Sequence, residues 1–208
     1  MSLVHAVIIA GGQGQRLGGV RKGSLRIGGL RLIDRVSAAL GPVADPLMVS
    51  SGPHSAISDL PEGAEAVPDL PVPCAGPLAG LAAAVTALRR RGVVRGELVS
   101  VAVDTPFLPT DFVARMVAPL AQAPASYAAW KDDFYPPNAA WRIEAIADLP
   151  ERMAAPAPPA SLKALQRLLG AEAVDWSGDQ TDNPFHNVNT IEDVIALERR
   201  ARSTRPLS

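Results

Sequence analysis

The sequence predicts an α/β protein in three layers, α/β/α, built on a mostly parallel, twisted sheet. Three observations lead there. Short apolar, β-branched runs recur at VHAVIIA (Val4–Ala10), PLMVS (Pro46–Ser50) and ELVSVAV (Glu97–Val103), as expected of strands buried on both faces. Segments with helical spacing separate them. Strand–helix alternation over the first two thirds of the chain requires parallel strands joined by crossover helices, which cover both faces of the sheet.

Each element has its own signals. Val4–Ala10 is closed by glycines and reads as the first strand. Arg31–Leu40 has apolar residues at helical spacing and stops at Gly41-Pro42. Pro46–Ser50 is a second strand and Ala64–Asp69 a weaker third. Leu78–Arg91 is alanine-rich, with arginines in its last turn, where the helix dipole favours cations. Glu97–Val103 runs into DTPFLPTDF, where Thr110 can cap a helix over Asp111–Leu120. Ala125–Lys131 and Asn138–Arg142 read as strands separated by a turn-like DDFYPP. Met153–Ser161, rich in Pro and Ala, reads as an extended, mobile loop. SLKALQRLLG is a helix ending at Gly170, and AVDW is a short strand. The last helix is IEDVIALERRARS, where Thr190 and Asp193 have the spacing of a capping box.

A chain of 208 residues, 48% hydrophobic, can bury one substantial core, so a single domain over residues 1–202 with a frayed tail at 203–208 is expected. A net charge of -1 offers no basic field for nucleic acid. Cys74 is the only cysteine, which excludes an internal disulfide and fits a reducing, cytoplasmic setting. No apolar run spans a bilayer, and the N-terminus lacks the pattern of a secretion leader, so no membrane partner is expected.

The chemistry concentrates in IIAGGQGQRLGGVRKGSL (Ile8–Leu25). In parallel α/β sheets ligands bind at the carboxyl ends of strands, where this loop begins. Gly11, Gly12, Gly14, Gly18 and Gly19 let backbone N–H groups approach a ligand closely. Arg16 can fork onto two phosphate oxygens, and Lys22 is a point charge. A polyphosphate cradle is one reading, and a surface loop with solvated cations is the other. A dinucleotide fingerprint fails for want of its third glycine, since Leu17 stands there, and a P-loop fails because Lys22 is followed by Gly23-Ser24. Asp104 ends a buried strand at the same sheet edge, where a carboxylate could meet a phosphate-bound Mg²⁺. Asp-Thr-Pro is also good turn chemistry, and a turn could hold that carboxylate in place.

The pattern A-G-G-x-G-x-R-x-G-G-x-x-K after a first strand resembles the MobA-like nucleotidyltransferases, in particular the molybdenum cofactor guanylyltransferases. GPLAGL (Gly76–Leu81), VDTPFLP (Val103–Pro109) and NVNTIEDV (Asn187–Val194) follow in the family's order, so the resemblance covers nearly the whole chain. It implies a Rossmann-like nucleotidyltransferase fold and transfer of GMP from GTP onto the terminal phosphate of molybdopterin, with pyrophosphate as the second product. GTP and molybdopterin would be the partners, Mg²⁺ the cofactor, and cofactor-insertion or acceptor proteins transient contacts. A molybdopterin cytidylyltransferase, another nucleotidyltransferase of this fold, and a non-catalytic nucleotide or molybdopterin carrier are the alternatives.

Carried over residue by residue, the resemblance places Ile9, Ala10, Gly11, Gly12 and Gly14 against the nucleotide. Arg16 and Lys22 hold phosphates, and Asp104 binds Mg²⁺; these three would be the catalytic set. Asp69, seven residues before GPLAG, contacts the nucleotide, as does Ser50, which stands where the family has asparagine. Asn187 and Asn189 belong to the acceptor side. Arg21 stands where the family shows an acidic residue, and DDFYPPNAAW replaces a basic-residue–His–Pro pattern. Cys74 reads as packing, and His5, His54 and His186 are too scattered for a metal site, with His186 the one beside a motif. Trp130, Trp141 and Trp176 read as core.

Overall fold

The computed structural model describes residues 4–11, 13–14, 20–52, 59–70, 76–178 and 181–203. Strand β1 (His5–Ile9) alternates its side chains between two cores. Val7 and Ile9 face one helical layer, and Ala6 and Ile8 face the other. The glycine loop then forms a two-stranded ribbon, β2 (Gln13–Gly14) against β3 (Val20–Arg21). The ribbon hands the chain to a 3₁₀ turn at Lys22–Ser24, so Lys22 comes back beside the strand ends. A small hairpin, β4 (Arg26–Ile27) and β5 (Leu30–Arg31), leads into α1 (Leu32–Leu40). In α1, Leu32, Ile33, Val36 and Leu40 are buried, and the helix stops at Gly41 as expected.

Three strands that continue the parallel run around β1 follow: β6 (Leu47–Ser50), β7 (Ala64–Val67) and, after α2 (Pro77–Arg90), β8 (Glu97–Ala102). A short helix, α3 (Phe112–Val117), continues as a 3₁₀ turn over Ala118–Ala121. Its N-cap residue is Asp111, and no side chain caps it, so Thr110 does not take the capping role read from the sequence. Strands β9 (Ala125–Trp130) and β10 (Asp133–Arg142) form a hairpin. Then come α4 (Leu149–Ala154), α5 (Leu162–Leu169), β11 (Glu172–Asp175) and α6 (Ile191–Ser203).

The main sheet has seven strands in the order β11-β9-β10-β8-β1-β6-β7. Pairings β1–β6, β1–β8, β6–β7 and β9–β11 are parallel, while β10 runs antiparallel to both neighbours. One layer packs α2, α4 and α5 on the face carrying Val7, Met48 and Trp141. The other packs α1 and α3 on the face carrying Ile8, Val99 and Trp130. The expected three-layer α/β/α order therefore holds. A third cluster, Ile27, Leu32, Val188, Leu197 and Ala201, fastens α6 to the small hairpin. Trp130, Trp141 and Trp176 are all buried, as read from the sequence. No helix among the described residues is long and apolar enough to cross a membrane.

Two expectations fail for identifiable reasons. DDFYPP is not the turn: the turn is Lys131-Asp132, with Lys131 at φ 54, and the strand resumes at Asp133. The ladder pairs Tyr135 with Ala128 and then Ala139 with Tyr127, so Pro136, Pro137 and Asn138 bulge out. Proline offers no N–H to a ladder, and a bulge removes that need. Side chains take the bulge carbonyls instead: Gln166 Nε2 donates to Pro136 O at 2.8 Å and Ser100 Oγ to Pro137 O at 2.8 Å. Met153 is likewise no part of a loop. It lies in the last turn of α4, which ends at Ala154, and is buried beneath it, and the extended stretch starts only at Ala155. Ser203, expected in the tail, is the last residue of α6.

Candidate active site

The carboxyl ends of β1, β6 and β8 meet the N-terminus of α2 at one edge of the sheet. A cavity of about 320 Å³ opens there, lined by Ile9, Gly11, Lys22, Asp69, Asp104 and Asn187, and on its far wall by Phe134–Asn138. Asp104 sits in the turn after β8. Val103 N–H donates to Ile9 O at 3.1 Å, and Thr105 donates to Ala102 O through both its N–H (3.3 Å) and its hydroxyl (2.8 Å). The Asp-Thr-Pro turn thus fixes the carboxylate, as its sequence allows.

Lys22 meets Asp104 across 82 residues of chain, Nζ to Oδ2 at 2.7 Å, and donates to Asn189 Oδ1 at 2.7 Å. An ammonium has three donors, and these two partners take up two of them. Both charged side chains are largely screened from water, at 13% and 15% exposure, which strengthens their field within the cavity. Gly76 and Pro77 also line the cavity, so the positive end of the α2 dipole faces it. Gly76 has φ 108, a conformation that favours glycine.

On the other flank, the Ser50 hydroxyl donates to Asp69 Oδ1, and both residues are buried. Asp69 Oδ2 lies 3.7 Å from where a Cβ on Gly11 would sit, which places this carboxylate against the glycine loop. A Cβ on Gly80, inside the GPLAGL stretch, would come within 2.5 Å of Ser50 Oγ. The glycine in that motif therefore lets α2 close onto the Ser50–Asp69 pair.

The structure brings Lys22, Asp104, Asp69, Asn187 and Asn189 together, with Ile9 and Gly11 in the cavity wall. Ser50 is fully buried and holds Asp69 rather than lining the cavity. The Ala10 N–H is committed to Ser50 O at 2.7 Å, and Ile9 O to Val103, which leaves fewer backbone groups here to read a base than the loop alone suggests. Gly14 lies in the ribbon strand β2. Gly12, Arg16 and Cys74 lie outside the described residues.

Sequence reading missed Asn138 and Asn183. Asn138 is 1% exposed, and its Oδ1 accepts from Ala102 N–H at 2.9 Å and lies 3.4 Å from Thr105 Oγ1. It thereby braces the end of β8 just before Asp104. Asn183 Nδ2 donates to the Tyr135 hydroxyl at 2.6 Å and holds that ring in the cavity wall. Neither carries a motif; the one available signal was the unusual proline pair beside Asn138.

The segment before α6 is tightly tied. Val188 N–H donates to Asp104 O at 3.0 Å. The capping box exists: Thr190 N–H donates to Asp193 Oδ2 at 2.8 Å and Asp193 N–H to Thr190 Oγ1 at 3.2 Å. Burial opposes ionisation of the Asp193 carboxyl. Hydrogen bonds from His186, from the Asn189 and Thr190 N–H groups and with the Thr190 side chain outweigh it and bring its pKa down to about 2.

Residues 6–175 match the model of the MobA-like NTP transferase domain. A protein of Rhodobacter capsulatus named molybdenum cofactor guanylyltransferase is 35% identical over 204 residues, covering 98% of this chain and 99% of its own length. One of the same name from Nitrobacter hamburgensis is 33% identical over 207 residues, covering 95% and 94%. Among solved structures, molybdopterin-guanine dinucleotide biosynthesis protein A of Archaeoglobus fulgidus superposes with a TM-score of 0.75 at 21% identity, covering 97% of this chain and all of the other. The 2-C-methyl-D-erythritol 4-phosphate cytidylyltransferase of Thermus thermophilus gives 0.66 at 17% identity, covering 97% and 100%. At these identities the structural likeness speaks to the fold.

Proposed function

The chain belongs to the MobA-like NTP transferase family and is a nucleotidyltransferase, and from that premise we propose that it moves GMP from GTP to the terminal phosphate of molybdopterin. The observation that carries the placement of the reaction is the meeting of Lys22, Asp104 and Asn189 at one strand end beside a cavity.

GTP lies with its phosphates toward Lys22 and the N-terminus of α2, and its nucleoside toward Gly11 and Asp69. Arg16, from the same loop, is assigned to the phosphates by its guanidinium fork. The acceptor enters from the Phe134–Asn138 wall and the Asn187–Asn189 segment. Its terminal phosphate oxygen attacks the α-phosphorus, the bond from that phosphorus to the bridging oxygen breaks, and pyrophosphate leaves. Lys22 offsets charge on the phosphates, and the polar wall orients the two reactants; positioning and electrostatics suffice without a covalent enzyme intermediate.

The residues present fit a hard divalent cation. Asp104 supplies a carboxylate, and the side-chain oxygen of Asn187, in the same cavity, is buried without a hydrogen-bond partner among the described residues. Mg²⁺ takes one or two such oxygens and completes its shell with phosphates and water. When bound it would polarise the α-phosphate.

Pyrophosphate release in the presence of molybdopterin and Mg²⁺, with GTP, CTP and ATP compared, tests this reading. Release with GTP alone is expected; a preference for CTP, or no release with any nucleotide, overturns it.

A further inference from the structure

Asp193 does more than cap α6. Its Oδ2 accepts from Thr190 N–H, which is the capping-box bond, but also from Asn189 N–H at 2.9 Å, while Oδ1 meets His186 Nε2 at 3.0 Å. The two additional bonds pin residues on either side of Val188. Val188 itself is fixed by full burial and by its N–H bond to the Asp104 carbonyl. Held from both sides, the segment has one orientation, and in it Asn189 Oδ1 reaches the Lys22 ammonium at 2.7 Å. Lys22 finds its other polar partner in Asp104, whose carbonyl anchors the same segment. The relay from Asp193 to Lys22 is continuous: hydrogen bonds at either end are joined by Asn189 itself, through its backbone N–H and its side chain.

We propose that Asp193 is a positioning residue of the transfer reaction, holding Asn189 so that the Lys22 ammonium stays beside Asp104. The proposal rests on the transfer reading above for its catalytic consequence, but the relay itself can be tested without turnover. Lys131 and Lys163, both remote from the relay in sequence, serve as internal references for amine reactivity.

The experiment compares the wild type, Asp193→Ala and Thr190→Ala in the whole protein. Thr190→Ala removes the hydroxyl half of the cap but keeps the backbone N–H and the Asn189 contact, so it controls for the stability of α6. Acetylation of each lysine by an amine-reactive ester is followed by peptide mass spectrometry. Lys22 should react several-fold faster in Asp193→Ala than in the wild type, relative to Lys131 and Lys163, and at the wild-type rate in Thr190→Ala. In pyrophosphate release, kcat should fall about tenfold in Asp193→Ala and change by less than about twofold in Thr190→Ala. Asp193→Ala should add nothing in an Asn189→Ala background, because the effect passes through that residue.

Equal Lys22 reactivity in Asp193→Ala and Thr190→Ala would overturn the proposal, as would equal turnover in the two or an additive loss with Asn189→Ala. A wild type inactive with GTP and molybdopterin would sink the transfer reading instead, and Lys22 acetylation would still decide the relay. Should Asp193→Ala not fold, Asp193→Asn takes its place: it leaves a neutral, weaker acceptor for the Thr190 and Asn189 N–H groups, so Lys22 should still react faster than in the wild type, and a wild-type rate would overturn the proposal.

Discussion

The two halves of the sheet reach the same site by opposite means. On the side of β1, β6, β7 and β8, parallel strands deliver their carboxyl ends, and α2 delivers its N-terminus. On the other side, β10 runs against its neighbours, so its entry, not its exit, arrives at the cavity, carrying the bulge at Pro136–Asn138. The first half lines the cavity with Lys22, Asp104, Asp69 and the N-terminus of α2. The second presents Phe134, Tyr135 and two prolines, an apolar and aromatic wall. One reversed strand gives a single sheet edge two chemically different walls, and the proposed reaction assigns one reactant to each.

Substitutions in each half test that contrast. The largest effect is expected at the seam: Asp104→Ala should lower turnover at least about 10²–10³-fold, the scale of losing a preorganised electrostatic group. Its circular dichroism should match the wild type, and substantial residual Mg²⁺-dependent turnover would remove Asp104 from the proposed set. Next comes the brace between the halves. Asn138→Ala strands the Ala102 N–H and should cost about 1–3 kcal/mol in urea unfolding. Turnover should also fall about tenfold as the turn carrying Asp104 loosens, and an undisturbed kcat would mean that the halves work independently.

Gly80→Ala acts on the nucleotide half only. Its Cβ would crowd Ser50, so a rise of several-fold in the KM for GTP is expected, with a stability loss of about 1–3 kcal/mol and little change in kcat. A larger change in the KM for the acceptor than for GTP would contradict the division. The smallest effect concerns pH. Asp193 has a folded-state pKa near 2, below its ordinary 3.8. A depressed carboxyl contributes stability that is fully present above the unfolded value and is lost as pH falls through the folded one. The unfolding midpoint of the wild type should therefore drop more steeply than that of Asp193→Asn between about pH 4 and pH 2.

What could be read in the sequence follows the same division. Strands β1, β6 and β8 announce themselves as apolar runs buried on both faces, and α6 through the Thr190–Asp193 box, because those signals are local. Lys22 and Asp104 were visible through their spacing from strand ends, though their ion pair spans 82 residues and no local pattern encodes it. The β10 bulge was misread because Pro-Pro after Asp-Asp looks like a turn. Only the partners supplied by Gln166 and Ser100 make that backbone tolerable in a strand. Ser50 was assigned a ligand contact by resemblance; Gly80 and Asp69, both distant in sequence, turn it inward. Asn138 was missed for the same reason, since its value lies in the backbone it braces.

In the proposed reaction the two halves join GMP to a phosphate acceptor at this edge. GTP carrying a labelled α-phosphate, incubated with molybdopterin and Mg²⁺, measures this most directly. The label should appear in a pterin-containing product in equal amount to the pyrophosphate released. Label found only in GTP and free GMP would mean binding or hydrolysis without transfer, and would rule the proposed function out.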